Sequence, residues 1–492
     1  MSLFVKKPMS HLMADAGDSE KGLKRTLGSG SLVALGIGAI IGAGLFVRTA
    51  AAAAQNAGPS VTLGFIVAAI GCALAGLCYA ELSSSIPISG SAYTYTYATM
   101  GELMAWVIGW DLVLEYAVGA ATVGIAWSEY LNNLLVNVLH VRGIPYEWCH
   151  SPFEHSLDGI HGIMNVPALG IIALLSLLLI KGTKESAFVN GLIVITKVAI
   201  VILIIVLGWG FINTGNHTPY IPASSTYTDH QGISHTYGGI MGILGAAGVV
   251  FFAFIGFDAV STAAQETKDP KKSMPIGILG SLAICTVLYI LFAHVLTGLA
   301  PVEFFRTTGK EASVTAAIDT FMPGYKWLGK LVTVAILAGF SSVILVMLLG
   351  QSRVFYSMSR DGLVPKIFSD VHHKYKTPHK ANLIFLVVVG AFAAFVPGDI
   401  VGDMTSIGTL FAFMLVCIAV IILRKTDPDM PRAFKTPLVP LVPILGVIVC
   451  GAMIFGLGWT NWLRLGGWLL IGFIIYFLYS KNHSKLRNPD KE

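Results

Sequence analysis

Charge is what this sequence has least of. Asp, Glu, Lys and Arg make up 12% of its 492 residues, about half the share of a soluble domain, and its mean hydropathy is +0.74. That composition excludes a water-soluble globule and leaves a polytopic membrane protein with little soluble mass. The sequence also lacks a Gly-x-x-x-x-Gly-Lys-Ser/Thr phosphate loop, which disfavours a nucleotide-driven pump. Neither an enzymatic activity nor a cofactor is expected. Cysteine is sparse: Cys72, Cys78, Cys285, Cys417 and Cys450 lie inside apolar runs and Cys149 outside them, a pattern of neither a disulfide framework nor a metal site. The N-terminal stretch is polar and charged through Arg25, so no cleavable signal peptide is expected. The net charge of +5 needs no nucleic-acid partner, because membrane topology accounts for it.

Long apolar runs are abundant instead. Stretches able to cross ~30 Å of hydrocarbon fall near 30–56, 61–85, 101–137, 164–181, 187–212, 238–266, 275–299, 324–357, 380–397, 403–424, 438–458 and 464–480. The expected fold class is an all-α polytopic membrane protein of about twelve transmembrane helices. The third and eighth runs exceed the ~20 residues a span needs, so they tilt or protrude. Pro59, Pro87, Pro167, Pro219, Pro275, Pro301, Pro323 and Pro378 punctuate the boundaries. With the N-terminus inside, the inner segments hold twenty-four of the 32 Lys and Arg residues, the outer segments seven, and the membrane Lys197. That bias predicts a plasma-membrane protein with both termini cytoplasmic.

The pivotal stretch is Gly38-Ala39-Ile40-Ile41-Gly42-Ala43-Gly44, in the middle of the first run. Each glycine weakens a helix by roughly 1 kcal/mol against Ala. An opened helix in a bilayer is tolerated only where its freed N–H and C=O groups line a polar cavity or are buried in protein. A broken helix that binds something polar near the midplane is one reading. A small-xxx-small packing face, Gly38 to Gly42, in an unbroken helix is the other. A dinucleotide-binding loop fails, because no βαβ unit surrounds the glycines. A second interruption favours the break: Gly256 and Asp258 sit inside the apolar sixth run, Phe251 to Val260. The two interrupted runs head successive sets of five spans. Five is odd, so the second set enters from the opposite side, giving a five-plus-five inverted repeat of the LeuT-like type with broken helices 1 and 6 and a shared site between them. The expected division is a cytoplasmic segment 1–28, a first five-helix repeat 29–213, an extracellular loop 214–237, a second repeat 238–424, two additional helices 438–480 and a cytoplasmic tail 481–492.

Four motifs carry a family resemblance. They are Gly-Ala-Ile-Ile-Gly-Ala-Gly-Leu-Phe at 38–46, Pro-Ile-Ser-Gly-Ser-Ala-Tyr at 87–93, Phe-Ile-Gly-Phe-Asp at 254–258 and Ser-Arg-Asp-Gly at 359–362. In that order the chain resembles the amino acid–polyamine–organocation transporter superfamily, and within it bacterial members of the cationic amino acid transporter family, over roughly 25–480. The resemblance implies a backbone-lined amino-acid site. The substrate carboxylate belongs at the start of the outer half-helix, near Gly42, Ala43 and Gly44, which presents unsatisfied amides and a positive dipole end, with Ile40 and Ile41 beside it in the site. The carbonyls of Phe252, Ala253 and Ile255 take the amine, and Phe252 matches the family's aromatic gate. Ala43 stands where relatives carry Ser or Thr, which removes a hydroxyl donor.

Ionisable groups at membrane depth need an account, because each is costly when unpaired. Lys197, mid-way along the fifth run, matches the place that holds sodium in sodium-coupled cousins, with Ser341 and Ser342 supplying hydroxyls; proton coupling and a structural bond to the broken first helix are the two readings. Glu115 lies about 22 Å into the third run at 1.5 Å per residue, with Asp111 one turn earlier on the same face. Glu115 and Asp258 can attract a basic substrate or carry protons, or be protonated or bonded to helix ends, and Met347 limits pocket size. His294 reads as a packed neutral histidine, and Arg48 as shaping the outer vestibule or pairing with an acid. His140, His150, His155 and His161 in the outer 139–165 connection match no metal-ligand spacing. The expected function is a secondary active amino-acid transporter: proton-coupled symport by alternating access, small neutral amino acids first and cationic ones weaker or comparable. An exchanger, and a non-transporting amino-acid sensor on the same fold, stay open. Expected partners are the amino acid, protons, the bilayer, and an accessory membrane subunit or second copy against spans eleven and twelve.

Overall fold

The computed structural model describes residues 3–8, 27–86, 91–156, 158–181, 187–229, 232, 234–307, 313–373 and 377–488. Pro87-Ile-Ser-Gly of the second motif, most of the 1–28 segment, and Lys21, Lys24, Arg25, Lys184, Lys310, Lys374, Lys376 and Lys491 of the charge count lie outside the described residues.

Helix forms wherever the apolar runs predict it. Eight helical stretches are long and apolar enough to cross a membrane and four apolar helices are shorter; one 42-residue stretch, Gly44–Ser85, turns at Gly58–Ser60 and so carries parts of two spans. Twelve spans result among the described residues. The first comprises Ser29–Ile40 and, after a break, a helical stretch to Ala57. The next four are Val61–Ser85, Glu102–Val138, Val166–Lys181 and Ala187–Gly208. The sixth comprises Gly239–Phe251 and, after a break, Asp258–Glu266. Pro270–Leu299, Lys326–Arg360, His379–Phe395, Gly398–Thr426, Leu441–Gly456 and Trp459–Ile475 follow. The third and eighth are the long ones, at 37 and 35 residues.

One local expectation needs correction. The seventh span starts at Pro270, so Pro275 lies inside the helix instead of at its boundary. Pro270 has the φ of a helix start, and the carbonyl that Pro275 leaves without a donor belongs to exposed Lys271 near the helix end. The expected loop 214–237 holds an antiparallel hairpin, Ser225–Thr228 against Ser234–Tyr237. It sits over the end of the first span, where Gly238 N–H donates to Asn56 O at 2.7 Å.

The chain ends meet on one face. Lys7 N–H donates to Tyr97 O and Glu102 N–H to Val5 O. Lys7 pairs with Asp361 at 3.2 Å, and Arg487 pairs at 2.5 Å with Glu102, which is fully buried. We call this the terminal face. The twelfth span is fastened to the third: Trp468 stacks on Trp110 at 4.7 Å, and Trp106 Nε1 donates to Gly472 O at 2.9 Å. Ile195, Val206, Val287 and Leu478 point outward, a liability in water but the ordinary lipid-facing surface of a membrane protein. Spans one and six are buried inside this ring.

Candidate functional site

Both interrupted spans are broken where the glycines fall. The inner half of span one ends as Ile41 turns extended, at φ −72° and ψ 104°. Ala43 returns to helical angles, and a π-helical turn, Gly44–Arg48, begins the outer half. Its leading amides cannot pair within their own helix, and that of Leu45 donates back to Gly42 O at 3.3 Å. In span six the helix tightens at Phe252–Phe254, Ile255 is extended, and Gly256 has φ +108°, a conformation open to glycine at little cost. The lower half, Asp258–Glu266, is a nine-residue 3₁₀ run, long for that helix type and the kind of segment that marks a hinge.

The two breaks lie backbone on backbone. A Cβ on Gly44 would stand 2.1 Å from Ala253 Cα, and one on Gly256 would stand 3.0 Å from Ala39 O. Gly42 is less confined, with Val343 Cγ2 at 3.2 Å from the same construction. The residues expected to bind substrate through their backbone, Ile40 to Gly44 with Phe252, Ala253 and Ile255, are therefore brought to one place, and all are buried. A residue absent from the sequence reading joins them. Tyr289 of span seven, fully buried, directs its hydroxyl at Ile40 O and Ala253 O, each at 3.0 Å.

Lys197 lies on the inner half of the first span. Its Nζ donates to Gly38 O at 3.0 Å, the last carbonyls of that half-helix being those with no intrahelical partner. Gly339 of span eight makes the room: a Cβ there would sit 2.7 Å from Lys197 Cε. A small apolar cavity of about 10 Å³ lies beside the Lys197 side chain, between Gly42, Phe46, Gly339 and Phe340. Ser342 is buried on the same span. The Ser341 hydroxyl accepts from Trp127 Nε1 at 3.1 Å and donates to Leu337 O at 2.9 Å.

The acidic residues gather on the other flank. Glu115, inside a π-helical turn, Leu114–Val118, has its carboxyl beside that of Asp258. Tyr116 donates to Asp258 Oδ2 at 3.2 Å, and the Thr409 side chain of span ten stands beside the Glu115 carboxyl. Asp111 is buried one turn away, 3.2 Å from where a Gly408 Cβ would stand. Met347 packs against Gly119, one turn beyond Glu115.

Towards the face opposite the chain ends, Arg48 pairs with Asp399 at 3.2 Å and Asp403 at 2.5 Å. His294 packs against Trp209 and His217, with ring centroids 5.6 and 4.6 Å away. His150 meets Glu129 at 2.8 Å; burial lowers its pKa, but the hydrogen bond and charge of Glu129 outweigh that, and it is pushed up to about 9.

The chain matches the amino acid permease family over residues 27–478. It belongs to that family, within the amino acid–polyamine–organocation superfamily. It is 44% identical over 485 residues, 99% of both chains, to the branched-chain amino acid permease BcaP of Bacillus subtilis (strain 168). It is 40% identical over 99% of both chains to the methylthioribose transporter of the same organism. The similarity to cationic amino acid transporter 2, vacuolar, of Arabidopsis thaliana is 34%, over 83% of this chain and 61% of that one. The permease is thus a multi-pass membrane transporter of amino acids and not an enzyme.

Proposed function

We propose that this permease is a secondary active transporter that carries amino acids in proton-coupled symport by alternating access. Its spans would divide five plus five around the paired breaks. The observation that carries the reading is the contact of those breaks: Gly44 against Ala253 leaves backbone groups of two discontinuous helices side by side, which suits the zwitterion that amino acids share. The ammonium of Lys197 on Gly38 O supports coupling to protons, because loss of its proton would release the half-helix it holds. Small and branched neutral side chains come first; the 44% relative named a branched-chain amino acid permease favours the second, and the Met347–Gly119 wall limits size. Cationic amino acids follow, drawn by Glu115 and Asp258.

The test is uptake of labelled leucine, alanine and lysine into proteoliposomes. An inward proton gradient should drive accumulation, and replacing sodium by choline should change nothing. Counterflow with no gradient response would make the protein an exchanger, and binding with no counterflow would make it a sensor. A second reading rests on the 40% relative named a methylthioribose transporter: if methylthioribose competes with leucine at equal concentration, the site is not reserved for zwitterions.

A further inference from the structure

Tyr289 is a lone hydroxyl in the apolar run Val287-Leu288-Tyr289-Ile290-Leu291. A buried tyrosine hydroxyl needs a partner, and this one has two. Ile40 O, at the end of the inner half of the first span, lies 3.0 Å away, and Ala253 O, in the tightened turn of the sixth, lies equally close. One O–H therefore serves two carbonyls that the breaks have freed from helical bonding. Its ring is held by Phe65 and Phe254, with centroids at 5.6 and 5.3 Å, so span seven fixes where the hydroxyl stands. Ile41 to Gly44 follow directly on Ile40, and Ile255 lies two residues past Ala253. A tether on these two carbonyls sets the spacing of the whole backbone site.

We propose that Tyr289 is the positioning residue for substrate, tying the two broken helices together at the separation an α-amino acid needs. The inference rests on the backbone-site reading above. Because the tether acts on main-chain groups, its loss affects every amino acid alike, whatever the side chain. Phenylalanine at 289 keeps the ring contacts and removes only the donor, leaving two buried carbonyls without it, a deficit that such groups do not tolerate well.

The experiment compares wild type, Tyr289→Phe, Phe65→Leu and Gly44→Ala in proteoliposomes, with leucine, alanine and lysine as substrates and a thermal melt of each purified protein. Tyr289→Phe should raise KM about tenfold for all three substrates by the same factor, with maximal rate within about twofold. Phe65→Leu, which loosens the packing that holds the ring but spares the hydroxyl, should lower the melting temperature and raise KM clearly less than Tyr289→Phe does. An unchanged KM in Tyr289→Phe, or a rise confined to one substrate, overturns the proposal. So does a rise in Phe65→Leu equal to that in Tyr289→Phe, since packing alone would then explain it. Gly44→Ala separates the two levels: if it too binds normally, the backbone-site reading fails; if it alone loses binding, the site stands and the tether falls.

Discussion

The guanidinium of Arg48, on the outer half of the first span, grips Asp403 of the tenth at 2.5 Å and Asp399 one turn before it at 3.2 Å. The arginine side chain is 4% exposed, whereas the two carboxylates are 21–26% exposed. The two sides of this pair differ in what they lose when stripped. Replacing both Asp399 and Asp403 by Ala strands a buried cation, which costs about 3–5 kcal/mol. Arg48→Met leaves two acids that reach water, a smaller loss. The double Asp variant should therefore show the larger fall in melting temperature in a common detergent. An equal or larger fall in Arg48→Met would mean that the guanidinium is not held by this pair.

Gly42 and Gly44 look equivalent in the sequence and are not equivalent in the fold. A methyl on Gly44 meets the Ala253 backbone at 2.1 Å, while one on Gly42 meets the end of the Val343 side chain at 3.2 Å. Gly44→Ala should weaken binding of every amino acid more than about a hundredfold, since backbone cannot step aside. Gly42→Ala should stay within about tenfold. Equilibrium binding of leucine to the purified variants decides it: retained affinity in folded Gly44→Ala contradicts the close contact.

The outer His150 carries a pH dependence. Its folded pKa, about 9, is above the ordinary histidine value near 6.5. A group whose pKa is raised on folding contributes stability that is complete below its unfolded pKa and is lost as pH rises through the folded one. The melting temperature should fall between about pH 6.5 and 9, and His150→Gln should flatten that part of the profile. A slope that survives the substitution assigns it to another group.

Legibility followed distance along the chain. The breaks were readable because three glycines within seven residues, and Gly256 beside Asp258, are local signals. Lys197 stood out because a cation in an apolar run has no innocent place. The partners were not readable: Tyr289 lies 249 residues from Ile40, and Arg48 lies 351 and 355 residues from its two acids. A tyrosine among Val, Leu and Ile has the same local pattern whether it packs or tethers. The hairpin at 225–237 escaped notice because four-residue strands are too short to display a period. Pro275 misled because proline punctuates most helices, yet here it falls within an end that Pro270 had already started.

Lys197 gives the coupling prediction. It holds the inner half-helix through Gly38 O, and Gly339 leaves it the space to do so. Lys197→Ala should cut proton-driven accumulation of leucine at least tenfold while counterflow and equilibrium binding persist, because the lysine bonds Gly38 O and not the Gly44–Ala253 contact of the proposed site. If the variant still concentrates leucine in response to an inward proton gradient, the lysine is structural and the coupled proton binds elsewhere.

The carboxyl pair offers the last test, on selectivity. Glu115 and Asp258 stand side by side, and Asp258 also receives the Tyr116 hydroxyl. Both carboxyls are buried at membrane depth. Glu115→Gln keeps the side chain's size and supplies an amide donor beside Asp258, which also keeps its Tyr116 partner, so the local fold is spared. Neutral substrates, bound through backbone groups, should keep their affinity within about threefold. Lysine depends on the flanking acids, and its competition against leucine should weaken about tenfold, the equivalent of ~1.4 kcal/mol. Equal losses for leucine and lysine would show that Glu115 supports the site without facing the side chain. Unchanged lysine competition would remove it from substrate recognition and leave the pair as a contact between the third and sixth spans.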